Sequence, residues 1–196
     1  MGAYCPLDWL PDGFVDDVIA RFIDPTLAEL RRRGIDYRGV LYAGLMLTPE
    51  GPKLVEYNVR FGDPDSQVVL LRLTSDLTAM LASAAAGALE GEPTYAADAA
   101  VLVVAAAEGY PTDPRTGDRI EGLGAARAVP GATVHCSGVA ADAAGELVTA
   151  GGRVLNVIGR GPDVAAARAR AYATLGNLHW PGLHYRTDIA RETTNE

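Results

Sequence analysis

The sequence predicts an α+β protein with a helix–hairpin–helix part over residues 1–92 and a β-rich part over residues 93–196. Three observations support this division. Apolar residues recur at helical spacing over 13–33. Two apolar runs then flank a turn at 48–51. After a polar stretch with Gly and Pro at 90–98, short apolar runs separated by turns replace the helical pattern, so this stretch is the predicted domain boundary.

The first element is a helix that a proline interrupts. Apolar side chains lie at helical spacing on both sides of Pro25. Proline lacks the N–H that a helix interior needs but is well placed at a first helical position. We therefore expect a kink or two short helices, with Asp24 as the N-cap of the second.

A β-hairpin with strands near 38–47 and 53–59 follows. The turn Thr48-Pro49-Glu50-Gly51 has proline at its second position and glycine at its fourth. The first strand is apolar on both faces, which predicts that both are covered. Helix is predicted next from Ser66 to Ala86, with a break near 74–76, Ser75 as the N-cap of its second half and Gly87 as its stop.

The rest of the chain is predicted to be mainly β-structure closed by one helix. That helix runs from Asp163, its predicted N-cap, to Asn177. The predicted strands are 99–107, 132–140, 145–150 and 153–161.

Composition restricts the classes of function. Seventeen basic and twenty-five acidic residues give a net charge of −8, which argues against a non-specific nucleic-acid surface and against docking on anionic lipid. Cys5 and Cys136 have no metal-like spacing and are expected to be free thiols in a reducing cytosol. Neither a membrane-spanning stretch nor a signal peptide is recognisable, so we expect a cytoplasmic protein.

The stretch KLVEYNVRFGDPDSQ, residues 53–67, concentrates polar chemistry at the end of an apolar strand. Side chains two apart on a strand share a face, which places Glu56, Asn58 and Arg60 together. A carboxylate and an amide oxygen one strand step apart suit Mg²⁺ or Mn²⁺, and the arginine could hold a phosphoryl or carboxylate oxygen. On spacing alone, the wet face of an amphipathic edge strand explains the triplet slightly better. The apolar partner strand argues for the metal site.

The residues after this strand predict a turn that faces a substrate. Gly62 permits close approach of a ligand to the backbone. Asp63-Pro64 is a typical turn dipeptide.

These residues carry a resemblance to a known family. The run Y-R-G-V-L-Y-A-G-L-M-L from Tyr37, followed by L-V-E-Y-N-V-R-F-G-D-P-D-S-Q, resembles the ATP-grasp core of the phosphoribosylamine–glycine ligases. The N-terminal M-G-A-Y-C-P is also similar to that family. So are R-T-G-D from Arg115, G-G-R-V-L from Gly151 and Y-R-T-D-I from Tyr185, which resemble its C-terminal domain.

The resemblance implies a partial ATP-grasp lobe followed by the small C-terminal domain, and a set of roles. Glu56 and Asn58 would hold the divalent metals that bridge the phosphates of ATP. Arg60, Gly62, Asp63 and Pro64 would bind the substrates, with Arg60 also catalytic through stabilisation of the phosphoryl charge. ATP would phosphorylate the carboxylate of glycine, and the nitrogen of phosphoribosylamine would then attack the acyl phosphate.

Several positions depart from the family. Tyr57 stands where phenylalanine is usual, Val59 where cysteine is usual, Glu108 where glycine is usual and Ala190 where a terminal glycine is common. Met1 aligns with a methionine that is internal in the family. We therefore expect the chain to need the N-terminal half of the enzyme, as a fragment, a protein with a wrongly assigned start, or one of two polypeptides.

Two other functions stay open at this point: a non-catalytic subunit of that enzyme, and another ATP-grasp carboxylate–amine ligase. An incomplete lobe also predicts exposed apolar surface on the hairpin and on the 14–30 helix. Such surface usually leads to association or to binding of a complement.

Overall fold

The computed structural model describes residues 1–191, which form two compact units. The sheet unit comprises Met1–Leu7, Pro64–Arg72 and the chain from Ala96 onward. The hairpin unit comprises Asp8–Asp63 and Leu73–Tyr95. The predicted boundary near residue 92 would separate the chain into two continuous parts, whereas each compact unit is built from more than one segment of the chain. That boundary stays a prediction about domains.

The sheet unit is built on a four-stranded antiparallel sheet. In spatial order its strands are β1 (Gly2–Cys5), β4 (Ala99–Ala106), β8 (Arg153–Gly161) and β5 (Ala132–Cys136). A small separate pair is formed by β6 (Val139–Ala141) and β7 (Leu147–Thr149). The predicted strands at 99–107 and 153–161 are confirmed, and the predicted strand at 132–140 divides into β5 and β6.

The sheet has an apolar layer on each face, which explains why β4 is buried along its whole length. Val101 and Val103 belong to the core that contains helix α6 (Val164–Leu175). Leu102 and Val104 belong to a second cluster with Val68 of helix α3 (Asp65–Arg72). Because neighbouring side chains of a strand point to opposite faces, a doubly covered strand is apolar at every position. Helix α5 (Leu123–Arg127) completes the unit.

The hairpin unit begins with one irregular helix. Helix α1 (Phe14–Val18) continues through a π-helical segment (Ile19–Ile23) into helix α2 (Asp24–Arg32). Asp24 has helical backbone angles, φ −59° and ψ −46°, so its predicted role as N-cap is wrong. The π-helical segment lies directly before Pro25, and such local changes of helix winding are a known way to accommodate a proline.

The predicted hairpin is confirmed, with strands β2 (Tyr42–Thr48) and β3 (Gly51–Asn58) on either side of Pro49 and Glu50. A bulge interrupts the register between Gly44 and Leu45, which pair with Glu56 and Leu54. Val55 is therefore the extra residue of β3.

Helix α4 (Leu77–Ala86) ends at Gly87 with φ +81°, as predicted. Its N-cap is Asp76, whose side chain accepts a hydrogen bond of 3.1 Å from the N–H of Ala79. The predicted cap Ser75 is wrong by one residue. No helix within residues 1–191 has both the length and the apolar character needed to cross a membrane.

The hairpin unit has no closed apolar core. Only Pro52 and Gly62 are buried among its residues, all of which the structure describes. Met46 on β2 is 59% exposed, so the predicted cover on both faces of that strand is wrong. As predicted, the first helix and the hairpin expose apolar side chains: Val15, Ile19, Met46, Leu47, Leu54 and Val55. Val59 and Phe61, just beyond the hairpin, are also exposed.

Candidate functional site

The predicted metal ligands lie on one strand and point to one face of the hairpin. Glu56 pairs with Gly44 across the hairpin, and Asn58 pairs with Tyr42. A side chain at Gly44 would place its Cβ 3.4 Å from Cγ of Glu56. This is an ordinary van der Waals distance, so the Glu56 side chain lies directly over Gly44 in the hairpin.

The two side chains are in direct contact. Nδ2 of Asn58 donates a hydrogen bond of 2.9 Å to Oε1 of Glu56. Glu56 is exposed and Asn58 is half-buried. The strand alternation thus brings a carboxylate and an amide within reach of a common point, with the outer side open to a ligand.

The donor set of this pair fits a hard divalent cation. Among residues 1–191, no group of three or more His, Cys, Asp or Glu side chains is arranged to hold a metal ion. Magnesium does not need such a group, because it commonly takes one or two protein ligands and completes its shell with water and substrate phosphates. Glu56 and Asn58 would hold the cation, and the remaining ligands would come with the substrate.

Arg60 lies beyond the strand that carries the pair. Strand β3 ends at Asn58, and residues 59 and 60 form a bend. The Arg60 side chain is exposed, and its Nη1 donates a hydrogen bond of 3.0 Å to the carbonyl of Phe61. The alternation from which we predicted a face shared with Glu56 does not extend this far, so the role of Arg60 stays a prediction.

The predicted substrate turn runs from one compact unit into the other. Gly62 is buried and Asp63 is exposed, both in the hairpin unit. Pro64 begins the next segment of the sheet unit, where its carbonyl accepts a hydrogen bond of 3.0 Å from the N–H of Gln67 at the start of α3. The turn prediction for Asp63-Pro64 agrees with this geometry, and the binding roles of Gly62, Asp63 and Pro64 stay predictions.

Three residues that support the site were not predicted from the sequence. The Tyr57 hydroxyl donates a hydrogen bond of 2.7 Å to the carbonyl of Phe22, which lies in the π-helical segment. Oγ1 of Thr26 lies 2.8 Å from both the Tyr57 hydroxyl and the same carbonyl, so its single proton can be donated to either of them. Tyr57 points away from the Glu56 face, so these bonds tie β3 to the helix from behind. Pro25 was the available signal, since it predicts irregular hydrogen bonding in that helix.

The C-terminal segments that resemble the family are held by ion pairs and by α6. Arg115 forms ion pairs with Asp118, at 2.8 Å, and with Glu108. Arg168 of α6 donates hydrogen bonds of 2.9 Å to the carbonyls of Thr187 and Ile189. The bonds from Arg168 hold the backbone of the segment that begins at Tyr185.

The segment that begins at Tyr185 contains an exposed ion pair between Arg186 and Asp188, which changes the pKa of Asp188. Nε of Arg186 donates a hydrogen bond of 2.8 Å to Oδ1 of Asp188. This hydrogen bond lowers the pKa of the Asp188 carboxyl to about 2.

Comparison with known proteins relates both parts of the chain to one family. Residues 1–66 match the model for the phosphoribosylglycinamide synthetase ATP-grasp (A) domain, and residues 100–192 match the model for the C domain of the same synthetase. The phosphoribosylamine–glycine ligase of Leifsonia xyli is 47% identical over 193 residues, covering 97% of this chain and 46% of that protein. The ligase of Mycobacterium bovis is also 47% identical, over 191 residues, covering 96% and 44%.

A solved structure supports the same relationship. The crystal structure of phosphoribosylamine–glycine ligase from Thermotoga maritima matches with a TM-score of 0.80 and 36% identity, covering 96% of this chain and 46% of that one. The predicted fold class is confirmed by this match. The chain spans less than half the length of the relatives it matches. Residues 1–66 match the ATP-grasp domain of phosphoribosylglycinamide synthetase and residues 100–192 match its C domain. The chain therefore belongs to the phosphoribosylglycinamide synthetase family, whose relatives are named phosphoribosylamine–glycine ligases.

Proposed function

We propose that this chain forms part of an ATP-dependent ligase that joins glycine to 5-phosphoribosylamine and yields glycinamide ribonucleotide for purine biosynthesis. The observation that carries the proposal is the contact between Glu56 and Asn58 on one face of the hairpin. The family assignment supplies the reaction. A cytoplasmic location is part of the proposal.

The reaction has two balanced steps. A carboxylate oxygen of glycine attacks the γ-phosphorus of ATP and forms an oxygen–phosphorus bond. The bond from the γ-phosphorus to the β,γ-bridging oxygen breaks, ADP leaves with that oxygen, and glycyl phosphate results. The amine of phosphoribosylamine then attacks the carbonyl carbon and forms the C–N bond, the C–O bond to phosphate breaks, and inorganic phosphate leaves. The nitrogen loses one proton to the departing phosphate or to solvent. No covalent enzyme intermediate is needed.

Each proposed residue has a chemical task in this scheme. Bound Mg²⁺ or Mn²⁺ would neutralise phosphate charge during transfer. Glu56 and Asn58 would hold that cation on the open face of β3, and Arg60 would bind an anionic oxygen of the substrate. The segment Gly62–Pro64 would let the substrates approach the backbone closely.

The complete activity is proposed to require the part of the family sequence that this chain does not cover, on the same or on another polypeptide. ATP, glycine and phosphoribosylamine would bind only with both parts present. The comparisons support this requirement because the chain covers 44% to 46% of the ligases that it matches.

The test is ligase turnover, measured as ADP release with ATP, Mg²⁺, glycine and fresh phosphoribosylamine. The chain is assayed alone and with the unmatched part of the Leifsonia xyli relative, expressed as a separate polypeptide. We expect activity in the mixture, reduced at least about 100-fold by Glu56→Ala, as for a lost metal ligand. The matched control is Glu50→Ala, which removes a carboxylate from the hairpin turn and should leave the rate within about twofold. A folded and associated mixture without turnover would instead indicate a non-catalytic subunit.

A further inference from the structure

Polar side chains interrupt the face of the four-stranded sheet that packs against α3. Val104 of β4, Asn156 of β8 and His135 of β5 are directly opposed across three neighbouring strands, so their side chains point to the same face. Val104 belongs to the apolar cluster that contains Val68 of α3. Towards the outer strand β5 this face therefore changes from apolar to polar.

The His135 ring is held by a residue of α3. Its Nδ1 lies 2.7 Å from Oε1 of Gln67. An amide oxygen can only accept a hydrogen bond, so Nδ1 carries the proton and the neutral ring keeps a lone pair on Nε2. The ring is half-buried, and within residues 1–191 no hydrogen bond to Nε2 is found. His135 thus presents an oriented proton acceptor.

Asn156 lies beside this histidine on the neighbouring strand. It is 2% exposed, and its Nδ2 donates a hydrogen bond of 3.1 Å to Oγ of Ser137. Its buried Oδ1 has no hydrogen-bond partner in the described part of the chain. Such unpaired buried groups are rare in proteins, and a catalytic role of the site is one of the recognised reasons for them.

The contact between His135 and Gln67 lies next to the proposed substrate segment Gly62–Pro64. Gln67 is three residues after Pro64, and its N–H donates a hydrogen bond of 3.0 Å to the Pro64 carbonyl. About one helical turn therefore separates the residue that holds the imidazole from the end of that segment. The side-chain contact connects this part of the chain to β5, 68 positions later.

We propose that His135 is the general base of the ligase reaction and that Gln67 positions it. Nε2 of His135 accepts the proton that the nitrogen of phosphoribosylamine loses as the C–N bond forms. The C–O bond of glycyl phosphate breaks, and the imidazolium then gives its proton to the departing phosphate, so the ring is neutral again after each turnover. The inference rests on the proposed function, which supplies the amine and the acyl phosphate, and it adds the residue that moves the proton.

The test separates the two chemical steps. The chain, mixed with the unmatched part of the Leifsonia xyli relative, is assayed for glycinamide ribonucleotide with phosphoribosylamine and for glycine hydroxamate with hydroxylamine instead. Hydroxylamine reacts with acyl phosphates without an enzyme, so the hydroxamate reports the formation of glycyl phosphate alone.

His135→Asn is the informative variant, because the asparagine Nδ2 can replace Nδ1 as the donor to Gln67 whereas Nε2 is lost. We expect kcat for glycinamide ribonucleotide to fall about 100-fold, while KM for phosphoribosylamine and the rate of hydroxamate formation change less than about threefold. His135→Gln is the second variant, and circular dichroism checks that both fold. The matched control is His179→Gln, which removes an exposed imidazole from the same compact unit and should leave both rates within about twofold.

The positioning role of Gln67 has a spectroscopic readout that does not depend on activity. Nitrogen-15 NMR of the imidazole should show the proton on Nδ1 of His135 in the unmodified chain. Gln67→Met removes the acceptor and should move the proton towards Nε2, whereas Gln67→Glu keeps an acceptor oxygen and should retain the Nδ1–H form.

Three results would overturn the proposal. The first is an equal loss of both products in a folded His135→Asn variant, which would indicate a structural role. The second is unchanged formation of glycinamide ribonucleotide by that variant, which would leave the proposed function intact. The third is a proton on Nε2 in the unmodified chain. Absence of both products with the unmodified chain would instead overturn the proposed function, and the role of His135 with it.

Discussion

The Tyr57 hydroxyl donates a hydrogen bond of 2.7 Å to the carbonyl of Phe22, and this bond joins the strand that carries Glu56 and Asn58 to the helix behind it. Phe22 lies in the π-helical segment before Pro25. Position and orientation of the candidate metal strand thus depend on a contact on its opposite face.

Removing that hydroxyl should loosen the hairpin unit. Tyr57→Phe leaves the Phe22 carbonyl with the Thr26 hydroxyl at 2.8 Å, so we expect the free energy of opening to fall by about 1 kcal/mol. Native-state hydrogen exchange of residues 51–58 measures this free energy of local opening. Tyr95→Phe, at an exposed position, is the control and should change the opening free energy by less than about 0.5 kcal/mol. Equal effects of both substitutions would contradict the role given to the Tyr57 bond.

The pairing of Glu56 with Asn58 predicts a response to divalent cations. Asn58→Asp replaces the donor that lies 2.9 Å from Oε1 of Glu56 by a second carboxylate. Like charges at this distance repel, and a bound cation relieves the repulsion. We expect about 10 mM Mg²⁺ to raise the Tm of this variant by about 2–4 °C more than that of the unmodified chain. Sodium chloride at equal ionic strength should not reproduce the difference, and an equal response of both proteins to Mg²⁺ would contradict the arrangement.

Local signals were sufficient for much of this fold. The turn at Thr48–Gly51 predicted the hairpin because proline and glycine occupy the positions that such a turn favours. Asp163 was predicted as the N-cap of α6 and accepts a hydrogen bond of 2.7 Å from the N–H of Ala166. The misplaced cap of α4 has a simple cause. Ser75 and Asp76 are both favourable N-cap residues, and it is the hydrogen bond from the N–H of Ala79 that identifies Asp76 as the cap.

Pairing between distant segments could not be predicted in the same way. Strand β1 has four residues and pairs with β4, about a hundred residues later, so no local pattern indicates its partner. The bulge at Val55 and the end of β3 at Asn58 are also set by pairing. The alternation rule therefore placed Glu56 and Asn58 correctly on one face but did not apply to Arg60.

The ion pair of Arg186 with Asp188 predicts a change in stability at acid pH. The hydrogen bond from Arg186 lowers the pKa of Asp188 from 3.8 to about 2 in the folded protein. A carboxylate with a depressed pKa stabilises the fold above its unfolded pKa, and this contribution is lost as the pH falls through the folded pKa. The difference in Tm between the unmodified chain and Asp188→Asn should therefore be present at pH 5 and disappear between about pH 4 and pH 2.

A measurement at high salt provides the control for this pH dependence of the Tm difference. The pair is exposed, so about 0.5 M NaCl should reduce the difference in Tm at pH 5. A difference that stays constant from pH 5 to pH 2 would show that Asp188 stabilises the segment by something other than its charge.

Ala190 has a backbone conformation that favours glycine. Its φ of +58° is the only positive value at a non-glycine residue among residues 1–191. Alanine in the left-handed region costs about 1–2 kcal/mol, whereas the methyl group of this buried residue contributes about 0.8 kcal/mol of burial. The free energy gained by relieving the backbone strain thus equals or exceeds the free energy lost with the buried methyl group. We expect Ala190→Gly to leave the free energy of unfolding unchanged or to raise it by up to about 1 kcal/mol, measured by urea denaturation.

The control for this substitution is Ala171, which is fully buried in α6. Ala171→Gly removes the same methyl group but relieves no strain, and glycine in a helix interior costs a further 1 kcal/mol or so. Its free energy of unfolding should therefore fall by about 1–2 kcal/mol. Because the two substitutions are chemically identical, their difference isolates the backbone term. A comparable loss at both positions would show that the conformation of Ala190 stores no relievable strain.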